Sequence, residues 1–112
     1  MDTNKTITVI NSIEAPKGWE NTAILIRNKY IEYFKSKPGY VSSTFYKSIN
    51  PDNQFNFVNI VVWASKEAFE QVVNEGFKNS DGLNDDEMKV LGKGFPGPIK
   101  VSPGQFEIIE SN

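Results

Sequence analysis

Two residue types are missing from the chain altogether. Without cysteine, disulfides, thiol nucleophiles and thiolate metal sites are excluded. Without histidine, so are Ser-His-Asp triads, imidazole proton shuttles and imidazole-ligated zinc or haem. Proton transfer is left to Asp, Glu, Lys, Tyr or solvent. Arginine occurs once, at Arg27, against eleven lysines spread along the chain, and the net charge is −2. There is no basic tract for nucleic acid. Apolar runs such as Ile60-Val61-Val62-Trp63-Ala64 are far too short to cross a bilayer. The polar start, Met1-Asp2-Thr3-Asn4-Lys5, leads straight into a strand-like pattern and does not read as a signal peptide, so a cytoplasmic protein is expected.

What is present is an ordinary globular composition: 112 residues, 38% apolar and 23% charged, enough for one domain over 1–112. Alternation predicts a first strand over Thr6 to Ile13, and Pro16 and Gly18 break it. From Trp19 the spacing turns helical, with Trp19, Ala23, Ile26, Tyr30 and Phe34 on one stripe, until Lys37-Pro38-Gly39 stops it. Tyr40 to Ser48 reads as a second strand, Asn50-Pro51-Asp52-Asn53 as a turn, and Phe55 to Ala64 as a third strand. Ser65 is placed to cap a second helix carrying Ala68, Phe69, Val72 and Val73 inward and ending at Gly76. Asn84 and Glu87 have capping-box spacing for a short helix over Asp85 to Leu91, and Gln105 to Ile109 reads as a fourth strand.

The order is that of a ferredoxin-like α+β fold, βαββαβ, with a four-stranded antiparallel sheet and both helices on one face. The third strand is apolar on both sides. Val58, Ile60, Val62 and Ala64 are expected under the helices. Phe57, Asn59, Val61 and Trp63 would then face outward and need cover from a second subunit or a ligand.

Three stretches together resemble the antibiotic biosynthesis monooxygenase family: Val9-Ile10-Asn11-Ser12-Ile13-Glu14-Ala15-Pro16, Lys37-Pro38-Gly39-Tyr40-Val41-Ser42-Ser43, and Phe57 to Phe69 with its Val58-Asn59, Trp63 and Ser65-Lys66-Glu67-Ala68-Phe69. The resemblance covers about residues 6 to 76, with a looser match at Ser102 to Ile109. It implies a homodimeric α+β barrel whose pocket binds a small aromatic substrate, an electron-rich phenol, anthrone or quinol. Dioxygen is the co-substrate, and no cofactor or metal is used. Asn59 and Trp63 match the family's Asn and Trp, and their four-residue spacing puts both on one strand face. Asn59 is the expected donor to the developing oxyanion and Trp63 the pocket wall. Asn11 lies near the family's first-strand Asn, and Tyr30, Tyr40 and Tyr46 are the candidate phenolic groups beside the substrate.

Two other readings stay open. A non-catalytic ligand-binding or stress-associated dimer would keep the barrel without the chemistry. Haem degradation, also hosted by relatives, is disfavoured by the missing axial histidine. Gly92-Lys93-Gly94-Phe95-Pro96-Gly97 spells a dinucleotide fingerprint, but Pro96 and Pro98 block the helix it requires, so it reads as a loop. The acidic cluster Asp81, Asp85, Asp86, Glu87 fits no calcium loop and reads as a solvated helix start.

Overall fold

A computed structural model describes residues 5–73, 88–89 and 93–112. The chain runs β1 (Ile7–Glu14), α1 (Glu20–Lys35), β2 (Tyr40–Lys47), β3 (Phe57–Trp63), α2 (Lys66–Val73) and β4 (Lys100–Phe106). The strands form one antiparallel sheet in the order β2-β3-β1-β4, the ferredoxin-like arrangement expected from the pattern. The helix stop at Gly76, the capping box at Asn84 and Glu87, and the acidic cluster lie outside the described residues, as does most of the expected short helix over Asp85 to Leu91. Among the described residues no helix is long and apolar enough to cross a membrane.

Local chemistry sets the connections. The Ser65 hydroxyl accepts a hydrogen bond from the Ala68 amide at 3.1 Å, so it caps α2 as expected. The Asn50 side chain accepts from the Asp52 amide at 2.9 Å, an Asx turn between β2 and β3. Gly39 is required twice over. Its φ of +88° lies in the left-handed region, and a Cβ there would overlap the Ala68 side chain.

The faces of the sheet are reversed relative to the expectation. Phe57, Asn59, Val61 and Trp63 are buried beneath the helices, whereas Val58, Ile60 and Val62 are only half-buried on the opposite, open face. The alternation is right, but its parity follows side-chain volume. Trp63 and Phe57 need the deep space between helix and sheet, where Trp63 sets its edge against Phe34 and Tyr40, with ring centroids 5.4 Å and 6.0 Å away. The flat β-branched residues make the shallow face. β4 is corrected too. It spans Lys100–Phe106 rather than beginning at Gln105, and Ile109 is 94% exposed. Pro103 lies inside it opposite Asn11, a position that an edge strand tolerates because one row of its amides needs no partner in the sheet.

Two hydrophobic clusters fill the space under the helices. One gathers Val9, Ile31, Val61, Trp63, Phe69 and Val72; the other gathers Ile13, Ala15, Ala23, Phe57 and Ile99. On β1 the residue between the two is Asn11, and on β3 it is Asn59. These two are direct cross-strand partners. A polar rung thus divides the core in half.

Candidate active site

The rung is where the polar chemistry collects. Burying an amide without a partner costs about 1–3 kcal/mol, so each polar atom here calls for an account. Asn59 is only 4% exposed. Its Oδ1 accepts a hydrogen bond from Arg27 Nε at 2.9 Å. Guanidinium nitrogens only donate, so the atom facing Arg27 must be the amide oxygen, and the Asn59 Nδ2 hydrogens turn elsewhere. Asn11 Oδ1 is buried and has no hydrogen-bond partner among the described residues.

Arg27 reaches the rung from α1. Ala23, Arg27, Ile31 and Phe34 follow one another at helical spacing, so the arginine occupies a position on the stripe that faces the sheet. Its guanidinium carbon lies 4.7 Å from the centre of the Phe45 ring, and Phe45 is the β2 partner of Asn59. Its Nη1 donates to Asn28 at 3.1 Å. Burial lowers its pKa, which still leaves an arginine charged at neutral pH. Among the described residues no carboxylate pairs with it.

Between Asn11, Asn59, Arg27 and Tyr30 lies a cavity of about 20 Å³, room for about one water molecule. Phe34 and Phe95 close its sides. Phe95 comes from the glycine-proline loop, stacks on Tyr30 at 5.8 Å between centroids, and makes this loop the cavity's wall. A Cβ on Gly94 would overlap the Tyr30 hydroxyl, so the loop's backbone lies directly against the phenol. Burial raises the Tyr30 pKa, partly opposed by a hydrogen bond with the Gly94 backbone, and the phenol stays protonated at neutral pH. A second depression of about 320 Å³, beside Phe69 and Phe106, is more open and carries the charges of Lys66, Glu70 and Glu107.

Of the residues singled out in the sequence, the cavity brings together Asn11, Asn59 and Tyr30. Trp63 is packed in the core two residues beyond Val61 and does not line it. Tyr40 lies against Trp63 and donates to the Ser43 hydroxyl at 2.8 Å, away from the cavity. Tyr46 pairs with Val58, so it stands on the open face and is 53% exposed. Sequence reasoning missed Arg27 and Phe95. The arginine did leave a signal: it is the chain's sole arginine and interrupts an apolar stripe. Among the described residues no group of three or more acidic side chains is placed to hold a metal ion.

The family model for antibiotic biosynthesis monooxygenase matches residues 6–76. No curated protein matches the chain. Several solved structures share the fold. A Shewanella loihica PV-4 protein, described as a candidate monooxygenase, superposes with a TM-score of 0.72 at 18% identity, over 96% of this chain and 97% of its own. A haem-degrading protein of Mycobacterium tuberculosis, solved free of haem, gives 0.63 at 17% identity over 96% and 94%. SnoaB, a cofactor-independent oxygenase of Streptomyces nogalater, gives 0.62 at 19% identity over 96% of each chain.

Proposed function

The chain belongs to the antibiotic biosynthesis monooxygenase family, and from that premise we propose that it oxygenates an electron-rich phenol, anthrone or quinol with dioxygen and without a cofactor. The observation that carries the reading is the polar rung. A donor-oriented Asn59 amide, an unpartnered Asn11 oxygen and a cation meet in an otherwise apolar, aromatic-walled cavity. Such a site suits a substrate that is neutral on arrival and carries negative charge on oxygen at the reacting stage.

In this reading the substrate supplies the electrons. Loss of a proton gives an enolate or phenolate whose oxygen accepts hydrogen bonds from Asn59 Nδ2, with the Arg27 charge behind it. The anion transfers one electron to dioxygen, and the resulting superoxide recombines with the substrate radical at carbon. Protonation gives a hydroperoxide. Loss of water then converts the attacked carbon, an anthrone methylene or a ring C–H of a phenol or quinol, to a carbonyl, so one oxygen atom enters the product and the other leaves as water. Among the described residues the cavity lining has no carboxylate or lysine, and burial favours the protonated form of Tyr30. Tyr30 and Phe95 must part to admit a ring, because the closed cavity holds about one water. Tyr40, Tyr46 and Trp63 take no direct part.

The open sheet face supports a homodimer. Ile10, Val58, Ile60 and Val62 form its centre, with Thr8, Ser12 and Thr44 around them. A β-branched patch of this kind packs well on a second copy of itself.

Oxygen uptake with a panel of anthrones, naphthols and hydroquinones tests the activity. Uptake matched by one product carbonyl per dioxygen supports it. Tight binding without uptake across the panel favours a second reading, ligand capture without chemistry.

A further inference from the structure

We infer that Arg27 is a positioning residue for Asn59, and that this contact decides which chemical group the cavity accepts opposite Asn59: an oxygen that receives hydrogen bonds rather than a group that donates them. The inference rests on the cavity being the ligand site, but not on the ligand's being oxygenated.

The argument begins with a buried amide that has two possible orientations. Left alone, Asn59 could turn either its oxygen or its nitrogen toward a ligand, because its two ends are nearly the same size. Arg27 removes the choice. Its Nε, 2.9 Å from Oδ1, has only a hydrogen to offer, so the carbonyl end is held toward α1 and both Nδ2 hydrogens remain for the cavity or the rung. The guanidinium is itself held from a second direction by the Phe45 ring at 4.7 Å. Phe45 sits beside Asn59 across the β2–β3 pairing, so the clamp and the amide share one rung of the sheet. A flat, forked cation fits this geometry. An ammonium offers a point charge without the planar stack or the fixed Nε direction. The composition agrees, since the chain uses lysine at eleven positions and arginine only here.

Polarisation adds to orientation. A cation bonded to the carbonyl end draws charge from the amide and makes its N–H groups better donors. The Asn11 oxygen, directly across the β1–β3 pairing and unpartnered, supplies the complementary acceptor. A ligand that presents an anionic or carbonyl oxygen to Asn59 and an adjacent hydroxyl to Asn11 satisfies both. A phenol or keto-enol with a neighbouring hydroxyl has this pattern; a simple hydrocarbon or an amine does not.

Having one arginine makes the test direct. The Arg27 Nε–H gives a single, unambiguous side-chain resonance in ¹⁵N NMR spectra of the whole protein. It is expected to exchange with solvent at least tenfold more slowly than in a free arginine, and Asn59→Leu, which keeps the side-chain volume, is expected to abolish that protection. In parallel, para-nitrophenol, whose colour reports its ionisation, is added to the wild type, Arg27→Lys and Arg27→Met. Bound to the wild type, its ionisation constant is expected to rise about tenfold, the size of effect a nearby opposite charge and donors give. Arg27→Met is expected to lose this entirely, and Arg27→Lys to recover less than half of it. Circular dichroism confirms that each variant is folded. An Nε–H that exchanges freely in the wild type, or protection that survives Asn59→Leu, overturns the contact. Full recovery in Arg27→Lys overturns the positioning role and leaves charge alone, and failure of the wild type to bind the probe overturns the specificity claim.

Discussion

On β3, Phe57, Asn59, Val61 and Trp63 face the helices, while Val58, Ile60 and Val62 face away. By hydrophobicity alone the two rows are close to interchangeable. In the fold they differ in depth. The first row lies beneath two helices and is closed over by aromatic rings from α1 and β2. The second forms a flat field of β-branched residues that stays only half-buried. Burial therefore follows shape as well as polarity. Large, irregular side chains need the uneven space between helix and sheet, and flat ones suit a second sheet. The one polar residue on β3 falls on the deep row, and that is how an amide comes to lie inside a cavity.

The comparison yields graded tests. The largest effect is expected for Trp63→Ala, which removes a fully buried ring from the helix-covered row and costs about 3–5 kcal/mol, read from urea unfolding. A smaller loss shows that the deep cluster repacks and that the two rows are less distinct than drawn. Gly39→Ala comes next, at about 1–3 kcal/mol, because it forces a left-handed φ on a residue with a side chain pressed against α2. Ile60→Lys, on the open row, is expected to leave the protomer folded with a change of about 0.5 kcal/mol or less. Its effect should appear in light scattering, where the dimer proposed for the wild type should give way to a monomer. A dimer that survives this substitution breaks the proposed use of that face.

The smallest effect concerns pH. Burial raises the Tyr30 pKa above its ordinary value of 10.0, so the folded state holds the proton more tightly than the unfolded one. Stability from this group is fully present below about pH 10 and is lost as pH rises through the folded value. Melting followed from about pH 9 to about pH 11 should therefore fall more steeply in the wild type than in Tyr30→Phe. Parallel curves would show that the phenol is not buried in the sense described.

Much of this was legible beforehand, and the misses have physical causes. Periodicity and turn chemistry located five of the six elements, because Pro38-Gly39 and Asn50-Pro51 punctuate real changes of direction. β4 was misplaced because Pro103-Gly104 reads as a break, and only the sheet order reveals an edge that can hold a proline. The faces of β3 were inverted because alternation fixes which residues share a side but not which side the helices cover. Asn11, Asn59 and Tyr30 were marked in advance. Arg27 enters the sequence reading only as part of the charge count, since a charge on an apolar stripe gains a meaning only when a buried acceptor appears across from it.

The account stands on Asn59 as a donor at a reacting oxygen, and Asn59→Ala tests it most directly when turnover and melting are measured on the same sample. Turnover of an oxidisable phenol should fall by about 10-fold to 1000-fold, as for loss of one oxyanion donor. Melting temperature should fall only modestly, reflecting the roughly 1–3 kcal/mol that leaving the Arg27 Nε–H without its acceptor costs. Normal turnover with a clear fall in melting temperature would make Asn59 a structural amide between two halves of a core, and would contradict the account.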